Sequence, residues 1–517
     1  MVITRTLVSI FIGGMLALIE SGCGGGTHTA PPPPALSIST TSLADGMVTF
    51  PYSQTILATG GVAPLVWIVS SGSLPHNVTL TSSSVSSVTI SGNPDTPQTA
   101  TFTIQVKDSK NQSAAQAYTI NISPTGSVQL QAVPGQVPAG VVEIQGVAAG
   151  PFNPNYWQGN TLNWVPDVRM PMLAAQTTSP YQNIYAPWPL EQPNGWRLFY
   201  GGWDGLNPPY DEIYSTTTSD FLTFGARDII IEHGEFQNVN NVNVQQLPDG
   251  SLRMICTAGQ LGNLDTFPVY FSSPDGTTWN GTPEPYPAKQ TDIISIQGYG
   301  GFSTGIFNGA NVLLRDNETW VLYFKDWNHL DTTYRATADT LPNFQFQGVA
   351  LKDDDFVNDV KKITIDGQSW YLMGLVLIDP KQSIVYSLST DGVTFPSPQT
   401  LFRNISSQDF YIVAVGFVMK ANQLLGALYG ASGVPTLDQN QIFARWLQKK
   451  IVIIDTSGIQ YSPQGSYGPD RQRFELPPSG SFQGTILVYA EDGLTPLASS
   501  PIDVRGGKAY QLVSGGG

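Results

Sequence analysis

Four carboxylates of this chain stand in segments where they could act on a bound ligand. They are Asp204 in Gly201-Gly-Trp-Asp204, Asp326 in Lys325-Asp-Trp327, Glu235 in Glu232-His-Gly-Glu235, and Asp359 directly after Asn358. A facing pair of such groups can cleave a glycosidic bond, because one carboxyl protonates the leaving oxygen while the other drives attack at the anomeric carbon. Nearby in sequence are Trp203, Trp327 and His329, and the amides Asn241, Asn243, Asn311 and Asn358. Indole faces stack on the C–H surface of a pyranose, and amides hydrogen-bond its hydroxyls. If the set is catalytic, Asp359 is the expected base and Asp204 the expected acid, with Glu235 or Asp326 as the alternative acid. The amides, with Trp203, Trp327 and His329, would hold the sugar. The bland reading of Asp204 and Asp326 is a loop cap. Asp353-Asp-Asp355 reads as solvated or cation-binding, and Asp275 and Asp391 as Asp-Gly turn residues.

These residues need a scaffold that brings them to one face, and a repeat supplies it. Four stretches carry small polar residues followed by an aromatic: Ser215 to Phe224, Ser272 to Trp279, Arg335 to Phe344 and Ser387 to Phe395. Their spacing of roughly 50 to 70 residues is that of a four-stranded propeller blade. Five apolar strands follow turns: Trp196 to Tyr200, Leu252 to Cys256, Trp320 to Phe324, Trp370 to Met373 and Leu424 to Leu428. The preceding turns include Asn194-Gly195, Asp249-Gly250 and Asp366-Gly367, which are hairpin signals. In such a meander the start of each first strand and the loop after each second strand lie on one face. Trp196, Trp320 and Trp370 sit at equivalent strand positions and read as packing between blades.

Composition agrees. The chain has 517 residues, with 52 Gly, 39 Pro and no long helical apolar period. Its net charge of −15 argues against a nucleic-acid partner. Residues 1–23 form a lipoprotein-type signal: Arg5, an apolar core from Leu7 to Ile19, then Ser21-Gly22-Cys23. The segment resembles a bacterial lipoprotein signal, which implies lipidation at Cys23 and a secreted, membrane-anchored protein of the cell envelope. Residues 24–35 are a Gly/Pro tether. Cys256, the other cysteine, reads as a buried structural thiol. A monomer is expected.

Residues 36–123 carry Tyr52-Ser-Gln-Thr-Ile-Leu-Ala-Thr-Gly-Gly-Val-Ala-Pro-Leu-Val-Trp67, then Ser71-Gly-Ser-Leu-Pro75 and Ile90-Ser-Gly-Asn-Pro94. They closely resemble the immunoglobulin-like, cadherin-like modules of bacterial surface proteins, which implies a β-sandwich spacer or adhesion unit. Asp95 and Asp108 read as turn aspartates rather than calcium ligands. Residues 124–180 are expected to wrap a five-bladed β-propeller over 181–455, and 456–517 to form a small C-terminal β-appendage. The expected fold class is therefore all-β: an immunoglobulin-like β-sandwich, a five-bladed β-propeller and the appendage.

The blade pattern resembles the five-bladed propeller glycoside hydrolases: arabinanases, xylosidases, invertases and relatives. That resemblance implies three central carboxylates, one from each of the first three blades. Counted back from the hairpin turns, those places map onto Ala186-Pro187, Asn241 and the run Asn308 to Asn311, with Asn358 in the fourth blade. None is a carboxylate. Three readings therefore stand: a glycoside hydrolase with a non-standard carboxylate set, a non-catalytic binder of polysaccharide or oligosaccharide, and a propeller that docks another protein. No metal ligand set or cofactor is read from the sequence. A structural calcium at the axis is compatible with each reading.

Overall fold

The computed structural model describes residues 34–82, 86–176, 183–204, 210–262, 265–300, 307–377, 381–476 and 481–514. The signal, Cys23 and most of the tether lie outside the described residues. The chain divides into two compact units, residues 1–46 with 51–122, and residues 47–50 with 123–517.

The first unit is a sandwich of two four-stranded sheets. Strands Tyr52–Thr59, Gln98–Lys107 and Ser113–Ser123 alternate inward and outward side chains, as a half-buried pleated strand requires. Ile56, Trp67, Val88, Ile90, Phe102, Ile104 and Ile120 fill the core. Asp108 accepts backbone N–H bonds from Val62, Lys110 and Gln112. Asp95 accepts from Asn77 and Thr96 and pairs with His76. Both are thus occupied as turn residues.

Among its described residues the second unit holds five successive, mainly antiparallel sheets, the first and third of which each add one short parallel strand. Their first strands are Asn183–Gln192, Asn238–Gln246, Phe307–Asp316, Phe356–Ile365 and Tyr411–Lys420. Each is joined by a tight turn to a more apolar second strand. In the fourth sheet Asp366 and Gly367 both have positive φ, 49° and 79°. This is the twist-matched two-residue turn that Asp-Gly favours, because Gly carries no Cβ to clash. All five first strands line one central depression, the arrangement of a β-propeller. The fifth sheet is completed from upstream. Trp164–Pro166 pairs antiparallel with Gln441–Leu447, and Trp446 Nε1 donates to Asp167 at 2.9 Å. The repeat's aromatics are scaffold, with Trp279, Phe344 and Phe395 buried. Trp196 and Trp320 are also buried, as expected of packing between sheets.

Residues 124–180 wrap the ring only in part. Val128–Val133 and Val141–Gln145 instead join Arg471–Glu475 and Lys508–Ser514 in a five-stranded sheet. That sheet packs on a four-stranded one containing Lys450–Asp455 and Phe482–Tyr489. Val142, Ile144, Ile451, Ile453, Phe474, Ile486 and Val504 share their core. The C-terminal appendage is therefore a sandwich, and the ring is an insertion within it. Chain exit and return meet at the Ala148 to Gln448 bridge.

Candidate functional site

Every first strand breaks register near its start, and the fifth breaks again between Val418 and Met419. The early breaks fall between Tyr185 and Trp188, Asn240 and Asn243, Phe307 and Asn311, Val357 and Asp359, and Ile412 and Ala414. A bulge leaves its extra residues unpaired and re-aims them. In the first, second and fourth of these strands the unpaired residues, Ala186, Pro187, Asn241, Val242 and Asn358, face the axis. Ala186, Pro187, Asn241, Val242, Asn311, Val357, Asn358, Ala414 and Val415 form the wall of the depression. Ala186 and Asn241 each have φ 51°, left-handed geometry that Asn tolerates and Ala resists. The depression encloses about 10 Å³, room for roughly one water. No carboxylate lines it among the described residues.

Three of the expected ligand residues meet there: Asn241, Asn311 and Asn358. Asn311 is 3% exposed and its Nδ2 donates to Thr257 at 2.9 Å. The Oδ1 atoms of Asn311 and Asn358 are buried without a hydrogen-bond partner. Asn243, expected among them, turns away. Its Oδ1 accepts from Leu313 N at 2.9 Å, tying the second sheet to the third.

The four carboxylates are not brought together as a pair, and three are buried in structural roles. Asp204 accepts from Gln176 N at 2.9 Å, Arg227 Nη1 at 3.1 Å and the Tyr200 hydroxyl. Asp326 caps the short turn Trp327–His329, accepting from Asn328 N at 2.8 Å and from Tyr299 Oη at 2.5 Å. Asp359 is fully buried. It accepts from Phe417 N at 2.7 Å and faces Lys361 Nζ at 3.2 Å. Lys361 Nζ also lies 3.5 Å from the Trp188 ring centroid. Burial raises the Asp359 carboxyl and lowers the Lys361 amine, each opposed by the partner's charge. Glu235 is exposed and accepts from Gln290 N at 2.8 Å. Asp204, Asp326 and Glu235 thus take donors from elsewhere in the chain, Gln176, Tyr299 and Gln290, and Asp359 takes Phe417 N and faces Lys361.

Trp203 is partly buried with an unpartnered Nε1, and remains a ligand candidate. His329 is exposed and 3.8 Å from Asp326. The side chain of Trp327 lies outside the described residues. Cys256 is fully buried, which pushes its thiol up. Among the described residues no group of three or more His, Cys, Asp or Glu is placed to hold a metal ion.

One cluster escaped the sequence reading. Asp211 opens the third strand of the first sheet and is 8% exposed. Its Oδ2 accepts from Tyr185 Oη at 2.6 Å and Asn240 Nδ2 at 3.2 Å, while Oδ1 has no partner. Burial, only partly offset by these bonds, raises its pKa to about 6. The folded state thus holds this proton longer than the unfolded chain does. The resulting penalty is absent below pH ~4, grows as pH rises to about 6, and is constant above. Asp211→Asn is expected to stabilise the protein at pH 8 by about 2–3 kcal/mol and to flatten this slope. Denaturant midpoints measured across that range check it.

Comparison with known proteins follows the same division. A family model described as "Putative Ig domain" matches residues 32–123. Solved structures similar to part of this chain include glycoside hydrolases. BT0996, solved in complex with RGII, is 11% identical with TM-score 0.43, covering 57% of this chain and 95% of that one. A glycosyl hydrolase from Bacteroides ovatus is 10% identical with TM-score 0.42, covering 60% and 96%. A GH43 β-xylosidase/α-arabinofuranosidase from a compost metagenome is 11% identical with TM-score 0.38, covering 58% and 98%. No significant match exists among curated proteins. The class is thus an all-β protein with an N-terminal immunoglobulin-like domain and a propeller whose solved neighbours are glycoside hydrolases.

Proposed function

We propose that the propeller binds a saccharide at its loop-bearing end without hydrolysing it. The observation that carries this reading is the axis itself. The positions that line it carry Ala, Pro, Val and Asn and, among the described residues, no carboxylate, while Asp204 and Asp359 are held by donors of this chain. Unpartnered amide oxygens on Asn311 and Asn358, with the unpartnered Trp203 indole N–H, are groups that a sugar hydroxyl can satisfy. Screening the whole protein on a glycan array tests it. Asn358→Leu is expected to weaken the best saccharide roughly fivefold, the loss of one hydrogen bond. An array without a bound saccharide would refute the reading.

A second reading has its own observation. Tyr210, Leu261, Ile405, Phe410, Val434 and Leu437 are 38–59% exposed in loops that the strand order places at the same end. Exposed apolar groups gathered on one end suit a protein partner. An empty glycan array with retained capture of a partner protein would favour it.

The sequence of residues 1–23 supports anchorage at the cell envelope through lipid on Cys23. Cys23→Ser is expected to move the protein from the membrane to the soluble fraction; unchanged fractionation would count against the anchor.

A further inference from the structure

A second site lies on the flank of the ring, away from the axis. There the closing strand Trp164–Pro166, the outer strand of the fourth sheet and the 491–494 turn of the C-terminal sandwich bound an open groove of about 380 Å³. That is within the size range of small-ligand sites, roughly 300–1,000 Å³. Its lining combines two aromatic rings, two cations and no carboxylate. Trp164 and Phe402 stand 5.4 Å apart at an interplanar angle of 55°. Leu494, 63% exposed, forms the opposite lip.

The polar groups of the groove are donors. Lys450 Nζ donates to Gly493 O at 3.3 Å, one of the three bonds an ammonium can make. Arg445 is 5% exposed, and its guanidinium lies 4.4 Å from the Phe402 ring centroid. One end of that guanidinium is engaged by Arg403 O, with Asp409 at 3.7 Å. Its Nε is buried without a partner, as is the Trp164 indole Nε1. Two cations and two orphaned donors beside flat rings are unusual here, because the chain has 24 basic against 39 acidic residues.

We propose that this groove binds an acidic saccharide, a hexuronate unit whose carboxylate meets Lys450 and whose ring lies against the partly exposed Trp164, which Phe402 backs. Orphaned buried donors call for acceptor oxygens, and an ammonium with spare donors for a negative charge. The partly exposed Trp164 ring favours a carbohydrate C–H face over a bare inorganic anion. The site is independent of the axial one. Failure of binding at the loop end leaves it standing, and Asn358→Leu should not touch it.

Calorimetry with the whole protein tests it, using tetragalacturonate, its fully methyl-esterified form and inorganic phosphate as probes. The acid is expected to bind, the neutral ester at least tenfold more weakly, and phosphate not to compete. Lys450→Gln and Leu494→Asp are each expected to weaken the acid at least tenfold. Both positions are at the surface of the groove, and an unchanged melting curve confirms that each variant is folded. Equal binding of acid and ester, equal competition by phosphate, unaltered binding by both variants, or no binding of the acid would each overturn the proposal.

Discussion

Asp359→Ala is expected to destabilise the ring by about 3–5 kcal/mol, the cost of leaving one member of a buried ion pair without the other. Lys361 would then sit against Trp188 with its charge uncompensated. Adding Lys361→Met to the same chain should recover most of the loss, because replacing both charges by apolar groups of similar size is often neutral or stabilising. Guanidinium midpoints followed by tryptophan fluorescence measure both variants. The sign of the effect discriminates between roles. A carboxylate held ready for chemistry is kept at some cost to stability, so its removal tends to stabilise the fold. A loss of several kcal/mol with unchanged saccharide binding identifies Asp359 as a structural brace of the axis. Unchanged or increased stability would place it back among the catalytic candidates.

Asp204→Ala carries the second large expectation, also about 3–5 kcal/mol of destabilisation. Asp204 is fully buried and gathers donors from Gln176, Arg227 and Tyr200, so its removal leaves Arg227 with Ala174 O but no counter-charge and strands two further donors. Tyr200→Phe should cost less, about 1.5–3 kcal/mol, since it removes one bond to a charged acceptor and strands no charge. A ranking in which Tyr200→Phe costs more than Asp204→Ala would contradict the account of Asp204 as the hub. Asp326 caps the Trp327–His329 turn and accepts from Tyr299 without a buried cation, so Asp326→Ala should cost less, about 1–3 kcal/mol.

What the sequence disclosed and what it hid follow from the range of the interactions. Hairpin turns such as Asp366-Gly367 are local, and they located the second strands. Counting back from them reached Ala186, Asn241 and Asn358, which the structure places at the axis on register breaks. Those places carry Ala and Asn, and among the described residues no carboxylate lines the depression. The roles of Asp204 and Asp326 were not legible from sequence, because Gln176, Arg227 and Tyr299 lie 23 to 28 residues away. Asn243 and Asp359 were misassigned for a related reason. A one-residue bulge, as found before each of them, reverses which side of the strand faces the axis. The ties of Val128–Val133 and Val141–Gln145 to the C-terminal strands left no local signal, since the whole ring intervenes between the partners. The Asp211, Tyr185 and Asn240 cluster draws on three strands and had none either.

The central claim is that the axial face binds saccharide but lacks the paired carboxylates that would cleave it. The most direct measurement is reducing-end release from the saccharide that the protein binds best, followed over an extended incubation at pH 5 to 8 with saturating protein. The account predicts binding with release no faster than in the protein-free control. Release that exceeds the control, and that disappears on replacing one described carboxylate by its amide, would contradict it.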